Sequence, residues 1–245
     1  MQGINRTVVI TGASSGIGFG LAKAYLERGF NVVGSARSEE RLAAAAEQLG
    51  SPKNFIGVAG DIARPETSKR LFERAIERFG QVDVLVNNAG IFVPSPFTEY
   101  SEDDLESMLA TNLKGVVYAS QEAARHMVPR RQGHIVTITA SVGIQPNRDV
   151  PAALPTLIKG GLNQFTRALA LELSTHDIKV NAVAPGIIET PMHDPSIREF
   201  LNGLQPVGHI GQVQDIADAV LYLTDASFTT GIVLAVDGGM STGTW

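Results

Sequence analysis

The 245-residue chain has no cysteine. That excludes disulfides, thiolate nucleophiles and cysteine-based metal sites, and it fits a reducing compartment. Runs of basic residues are also missing, and the formal net charge is −5, so neither nucleic acid nor an anionic membrane surface is an expected partner. No apolar run is long enough to span a bilayer, and no signal-peptide pattern precedes the first apolar run at Val8-Val9-Ile10. These absences lead to the expectation of a soluble cytoplasmic protein without a metal site. No internal repeat, low-complexity segment or linker divides the sequence, so one large α/β domain over residues 1–245 is expected. Hydrophobic residues make up 44% of the chain, which is enough for a sizeable core and argues against disorder.

What is present alternates regularly. Apolar runs near Val8–Ile10, Val32–Gly34, Phe55–Ala59, Val84–Val86, Ile135–Thr139, Lys179–Ala182 and Ile232–Ala235 read as strands. Helical patterns lie over Ile17–Arg28, Glu39–Leu49, Glu66–Phe79, Glu102–Leu109, Leu113–Met127, Thr156–Ser174 and Val213–Leu223. Strands alternating with helices predict a parallel sheet covered on both faces. Two segments, Gln145–Leu154 and Glu189–Gly208, are expected to be mobile or substrate-facing loops. Both follow the carboxyl ends of strands, where open α/β sheets bind ligands.

The strongest local signal is Thr11-Gly12-Ala13-Ser14-Ser15-Gly16-Ile17-Gly18, between the first strand and the first helix. Gly12 permits a tight turn, while Gly16 and Gly18 clear side chains from the path of a pyrophosphate and a neighbouring strand. The helix then presents unpaired amides and a positive dipole end to an anion. Gly12, Ser14, Ser15, Gly16, Ile17 and Gly18 are therefore candidate cofactor contacts. At the end of the second strand, Val33-Gly34-Ser35-Ala36-Arg37-Ser38 carries no carboxylate to bind ribose hydroxyls, and Arg37 suits a 2′-phosphate instead. This predicts NADP(H) over NAD(H). Asp61, after the third strand, is a candidate partner for the adenine amine or the cap of a short turn, with Ile62 beside it as a further contact.

Four segments in order resemble the short-chain dehydrogenase/reductase family in its single-domain form. They are the glycine turn, Asn87-Asn88-Ala89-Gly90, Asn181-Ala182-Val183-Ala184-Pro185-Gly186 with Thr190-Pro191, and Val236-Asp237-Gly238-Gly239. The resemblance implies a Rossmann-like, doubly wound sheet of seven parallel strands and a nicotinamide cofactor across their carboxyl ends. It places Asn88, Ala89 and Gly90 along the adenosine ribose side, and Pro185, Gly186, Ile188 and Thr190 at the nicotinamide end. It also implies a small-molecule substrate and a homodimer or homotetramer formed through the helix after Lys159 and its predecessor.

The family's usual active site is an asparagine, a serine, a tyrosine and a lysine. Asn112 in Thr111-Asn112-Leu113-Lys114-Gly115, Ser141 in Ile138-Thr139-Ala140-Ser141-Val142, and Lys159 at the head of Lys159-Gly160-Gly161-Leu162-Asn163 match three of them. The resemblance gives Asn112 a relay water to anchor and Ser141 the substrate oxygen to orient. Lys159 would hold the nicotinamide ribose. The tyrosine should stand four residues before the lysine, and that residue is Pro155; no tyrosine occurs between Tyr118 and Tyr222. Proline suits a first helical turn but has no proton to give, whereas general acid–base catalysis contributes on the order of 10²–10⁴-fold. Candidate replacements are Ser141, a desolvated Lys159 and His193, while Arg148 and Asp149 either fix a polar substrate or form a surface ion pair. The expected function is an NADP(H)-dependent oxidoreductase with an altered proton donor. The alternatives are a non-redox lyase or isomerase on the same scaffold, and a catalytically silent NADP(H)-binding protein.

Overall fold

The computed structural model describes residues 6–192 and 194–243. His193, one of the candidate proton donors, lies outside the described residues. Every predicted strand is present: β1 (Thr7–Thr11), β2 (Asn31–Ala36), β3 (Phe55–Ala59), β4 (Val84–Asn87), β5 (Gly133–Ile138), β6 (Ile178–Pro185) and β7 (Val233–Val236). They form one parallel sheet in the order β3-β2-β1-β4-β5-β6-β7. The order reverses direction between β1 and β4, so a crevice opens at their carboxyl ends.

The two-residue period of a strand sorts the core into two layers. Val8 and Ile10 of β1, Val84 and Val86 of β4, and Val136 and Ile138 of β5 face α1 (Gly16–Glu27) and α8 (Val213–Asp225). The alternate residues Val9, Leu85 and Ile135 face α3 (Pro65–Phe79), α5 (Gly115–Arg130) and α6 (Ala153–Leu173). Both sheet faces are therefore dry, which explains why the central strands read as unbroken apolar runs rather than alternating ones. Tyr25 of α1 is completely buried, and its hydroxyl meets Thr224 Oγ1 of α8 at 2.6 Å, tying those helices together.

The remaining helices are α2 (Glu39–Gln48), α4 (Glu102–Met108) and the short α7 (Arg198–Gly203). Ser38 caps α2 by accepting a hydrogen bond from Arg41 N, and a reciprocal Ser101–Asp104 box caps α4. Two stretches differ from the sequence pattern. The periodicity predicts separate helices ending at Leu109 and starting at Leu113, but a π-helical turn, Leu109–Lys114, joins α4 to α5. The Glu189–Gly208 segment, expected as a loop, contains α7 and a preceding 3₁₀ turn, Pro195–Ile197. No helix among the described residues is long and apolar enough to cross a membrane.

Candidate active site

The glycine turn is shaped by close backbone approach. Gly12 and Gly16 have φ of +70° and +53°, a region that disfavours side chains. A Cβ on Gly18 would lie 2.1 Å from Gly12 O and 2.4 Å from Asn88 Nδ2. Thr11 and Asn88 hold the turn against the end of β4. Thr11 Oγ1 accepts from the amides of Asn88 and Ala89, both at 3.0 Å, and Asn88 Nδ2 donates to Thr11 O and Gly12 O at 2.9 and 3.1 Å. Asn88 thus acts here through its side chain as a clip between two strand ends.

Helix α1 begins at Gly16 with no acidic residue in its first turn, and the N-cap residue Ser15 makes no side-chain capping bond. Its first amides are left for an external acceptor, and the dipole favours an anion there. Ser14 and Ile17 are half-buried along the same turn. Thr190, from the loop after β6, lies across it: a Cβ on Gly16 would sit 3.4 Å from the Thr190 side chain. Thr190, one of the nicotinamide-end candidates, therefore packs against the glycine turn.

At the end of β2, Arg37 is exposed and has no ion pair or side-chain hydrogen bond among the described residues. The nearest carboxylate in sequence that is engaged, Glu40, accepts from the Ser38 hydroxyl, which holds its pKa below the usual value. Asp61 Oδ1 accepts from Ala63 N at 3.0 Å, the short-turn role, and its second oxygen remains free for another donor. Ile62 is a core residue: its side chain is buried and packs where Gly115 leaves room for it.

The other end of the cleft gathers the polar candidates. The π turn brings Asn112 inward, where it is buried and pairs with the backbone of Ile91. Its Oδ1 accepts from Ile91 N at 2.8 Å and its Nδ2 donates to Ile91 O at 2.9 Å. The pairing sits within the departure from α-helical spacing, and such insertions recur at functional positions. Lys159 is buried on α6, with Nζ donating to Ile138 O at 3.0 Å. Desolvation lowers its pKa to about 8. Asn112 and Lys159 converge on Gly90: a Cβ there would lie 2.9 Å from Asn112 Oδ1 and 3.6 Å from Lys159 Nζ.

Ser141 opens a buried 3₁₀ turn after β5, with its hydroxyl 3.7 Å from Met240 Sδ. That turn rests directly on α6, since a Cβ on Gly143 would lie 2.8 Å from the Lys159 carbonyl carbon, and Asn163 Nδ2 donates to Gly143 O at 3.0 Å. Pro155 is buried in the first turn of α6. Pro185 ends β6, Gly186 is wedged against Gln205 and Asp237, and Ile188 forms an isolated parallel bridge with Gly211. Arg148 and Asp149 are exposed and form no ion pair with each other.

Three neighbours of the site escape sequence reasoning. Met240 and Gln205 pack beside Ser141 and Gly186, with Gln205 Nε2 2.9 Å from Met240 Sδ. Met240 directly follows the Asp237-Gly238-Gly239 signal, but Gln205 sits in an unpatterned loop. Asn163 falls one helical turn after Lys159, and that spacing could have found it.

The cradle fits a dinucleotide. The glycines let the turn close on Asn88, Ala89 and Thr190, the α1 amides are uncapped, and an exposed guanidinium with no partner among the described residues stands at the end of β2. Comparison with known proteins points the same way. A family model described as short chain dehydrogenase matches residues 6–199. The 3-oxoacyl-(acyl-carrier-protein) reductase FabG of Chlamydia muridarum is 36% identical over 250 residues, covering 97% of this chain and 98% of the relative. A solved structure described as ElxO with NADP bound is 30% identical, with a TM-score of 0.92, covering 98% of this chain and all of that one. The 3-ketoacyl-(acyl-carrier-protein) reductase from Brucella melitensis complexed with NADH is also 30% identical, with a TM-score of 0.90 and coverage of 96% and 98%.

Proposed function

The chain belongs to the short-chain dehydrogenase family, and on that premise we propose that it is an NADP(H)-dependent oxidoreductase whose active site works without the family's tyrosine. The observation that carries this reading is the convergence of Asn112 and Lys159 on Gly90, in the same crevice as the glycine turn. Burying the Lys159 ammonium beside Asn112 costs stability unless a bound partner uses it.

In this reading the turn from Gly12 to Gly18 and the α1 amides hold the pyrophosphate, and Arg37 holds the 2′-phosphate. Asp61 and Ile62 meet the adenine end, and Asn88, Ala89 and Gly90 line the ribose. Pro185, Gly186, Ile188 and Thr190 support the nicotinamide, and Lys159 reaches its ribose. When bound, the nicotinamide supplies or accepts the hydride, and the protein supplies position and charge. Ser141 orients the substrate through its hydroxyl. Asn112, having spent one donor and one acceptor position on Ile91, keeps a second of each for a water.

With Pro155 in the tyrosine's place, ordinary ketone reduction is weakened, and activated alkenes or imines are the substrates that fit best. The chain acts as a homodimer or homotetramer through α5 and α6, where Leu157 and Leu171 leave 66% and 78% of their surface exposed. The test is NADPH consumption with a panel of ketones, enones and imines. Turnover of enones or imines above ketones is expected, and a flat baseline across the panel would remove the redox reading. Formation of product without NADPH consumption would replace it with lyase or isomerase chemistry.

A further inference from the structure

We infer that Lys159 is itself the proton donor to the substrate, replacing the missing tyrosine; this rests on the oxidoreductase reading above. The atoms nearest the side-chain position of Gly90 are Asn112 Oδ1, Lys159 Nζ and Asn88 O. Only Nζ carries a proton acidic enough to transfer. The ammonium has three donor positions, and one is spent on Ile138 O. The other two have no acceptor among the described residues, so they are available to a substrate atom or a bridging water.

The alternatives are worse placed. Ser141 faces a thioether, which cannot relay protons to its hydroxyl. The Tyr100 hydroxyl donates to Val93 O at 2.9 Å, and the Tyr25 hydroxyl is bonded to Thr224 inside the α1–α8 interface. Pro155 supplies only ring carbons to the space one turn ahead of Lys159. Burial alone sets the acidity of Lys159, bringing it to about 8; no charged side chain among the described residues shifts it from β5, the Ser141 turn, α6 or the π turn. At neutral pH the amine is therefore mostly protonated yet close enough to its pKa to release a proton readily.

The step transfers one proton. The Nζ–H bond breaks and its electron pair stays on nitrogen as the lone pair of a neutral amine. The proton bonds to the substrate atom next to the one that receives the hydride from the reduced nicotinamide dinucleotide, the α-carbon of an enone or the nitrogen of an imine, where the displaced π electron pair ends up. Solvent water then reprotonates the amine.

The test pairs a titration with turnover, both on the full chain. With lysine isotopically labelled at Cε, the resonance that vanishes in Lys159→Arg, or in Lys159→Met if the arginine variant does not fold, should titrate near 8. NADPH consumption with cyclohexenone or a cyclic imine should fall about tenfold per pH unit above that value, because only the ammonium holds the proton. Lys159→Arg keeps a positive charge that does not deprotonate, so turnover should drop about 100-fold or more and the alkaline fall should disappear. A Lys159 resonance titrating with the ordinary lysines, or undiminished turnover in Lys159→Arg, overturns Lys159 as donor and leaves the oxidoreductase reading standing. No NADPH consumption by the wild-type chain with these probes or with any ketone, enone or imine of the panel overturns both.

Discussion

Gly18→Ala is the sharpest test of the glycine turn. Gly18 is the third residue of α1, where alanine should favour the helix by about 1 kcal/mol. The structure reverses that sign. The added methyl would meet Gly12 O at 2.1 Å, Asn88 Nδ2 at 2.4 Å and Gly12 C at 2.9 Å. Two of these are backbone atoms, and the third belongs to the side chain that bonds Gly12 O. Relief requires α1 and the turn to separate by roughly 1 Å, enough to forfeit dispersion contacts along the seam, and it breaks the Asn88–Gly12 bond. Overpacking of about 1–3 kcal/mol plus a lost hydrogen bond of about 1 kcal/mol outweighs the helix gain. A net loss of about 1–3 kcal/mol should lower the melting temperature by roughly 2–10 °C for a chain of this size. Displacing the turn should also weaken NADPH binding by about tenfold or more, since a misplaced anion site loses charge-assisted bonds. Gly203→Ala is the matched control, because nothing lies within 4 Å of its added Cβ and its φ is not positive; it should stay within about 1 kcal/mol of the parent. Thermal unfolding and calorimetric NADPH titration read both effects. A Gly18→Ala protein with parental melting temperature and NADPH affinity would refute the close-approach account.

Two further outcomes follow from charge. Arg37 should make NADP(H) bind roughly ten- to a hundredfold more tightly than NAD(H) at low salt, through charge-assisted pairing with the 2′-phosphate. Arg37→Ala should erase most of that preference and Ala36→Asp should reverse it. Added salt should narrow it, because Arg37 is exposed; a dissociation constant favouring NAD(H) in the parent would sink the assignment. His134 is the second case. Burial first, then the positive charges of Arg6 and Lys179, lower its pKa to about 4. The unfolded chain takes up this proton near the ordinary value of about 6.5, so the associated stability is complete above that pH and is lost as pH falls towards 4. The full loss is on the order of 3 kcal/mol. Denaturant unfolding at pH 7 and pH 5 should therefore show a larger loss for the parent than for His134→Val, and equal losses would contradict the assignment.

The features legible in the sequence are those encoded within one strand–turn–helix unit. The apolar runs became β1 to β7 because both sheet faces are covered, and the Thr11–Gly18 signal became a turn because Gly12, Gly16 and Gly18 are needed where they stand. In the sequence Arg37 stands where a ribose-binding carboxylate would be expected, and Pro155 where the family resemblance implies a tyrosine. What could not be read depends on partners distant in the chain. Within the π turn Asn112 pairs with Ile91, 21 residues earlier, and helical periodicity carries no trace of that bond. Gln205 and Met240 meet 35 residues apart, and neither has a local signature.

Lys159 shows how the two kinds of information combine. Its identity and its spacing from Pro155 are sequence facts, but its acidity is a property of burial under Ile138, Gly143 and Gly90. A lysine in the same motif on an exposed helix would keep the ordinary pKa of about 10.4 and be a far weaker acid. The same lysine placed against a carboxylate would hold its proton more tightly still. The sequence places a proline where the family resemblance implies a proton donor, and the burial of Lys159 beside Ile138 O and Gly90 is what supports the proposal that it takes that place.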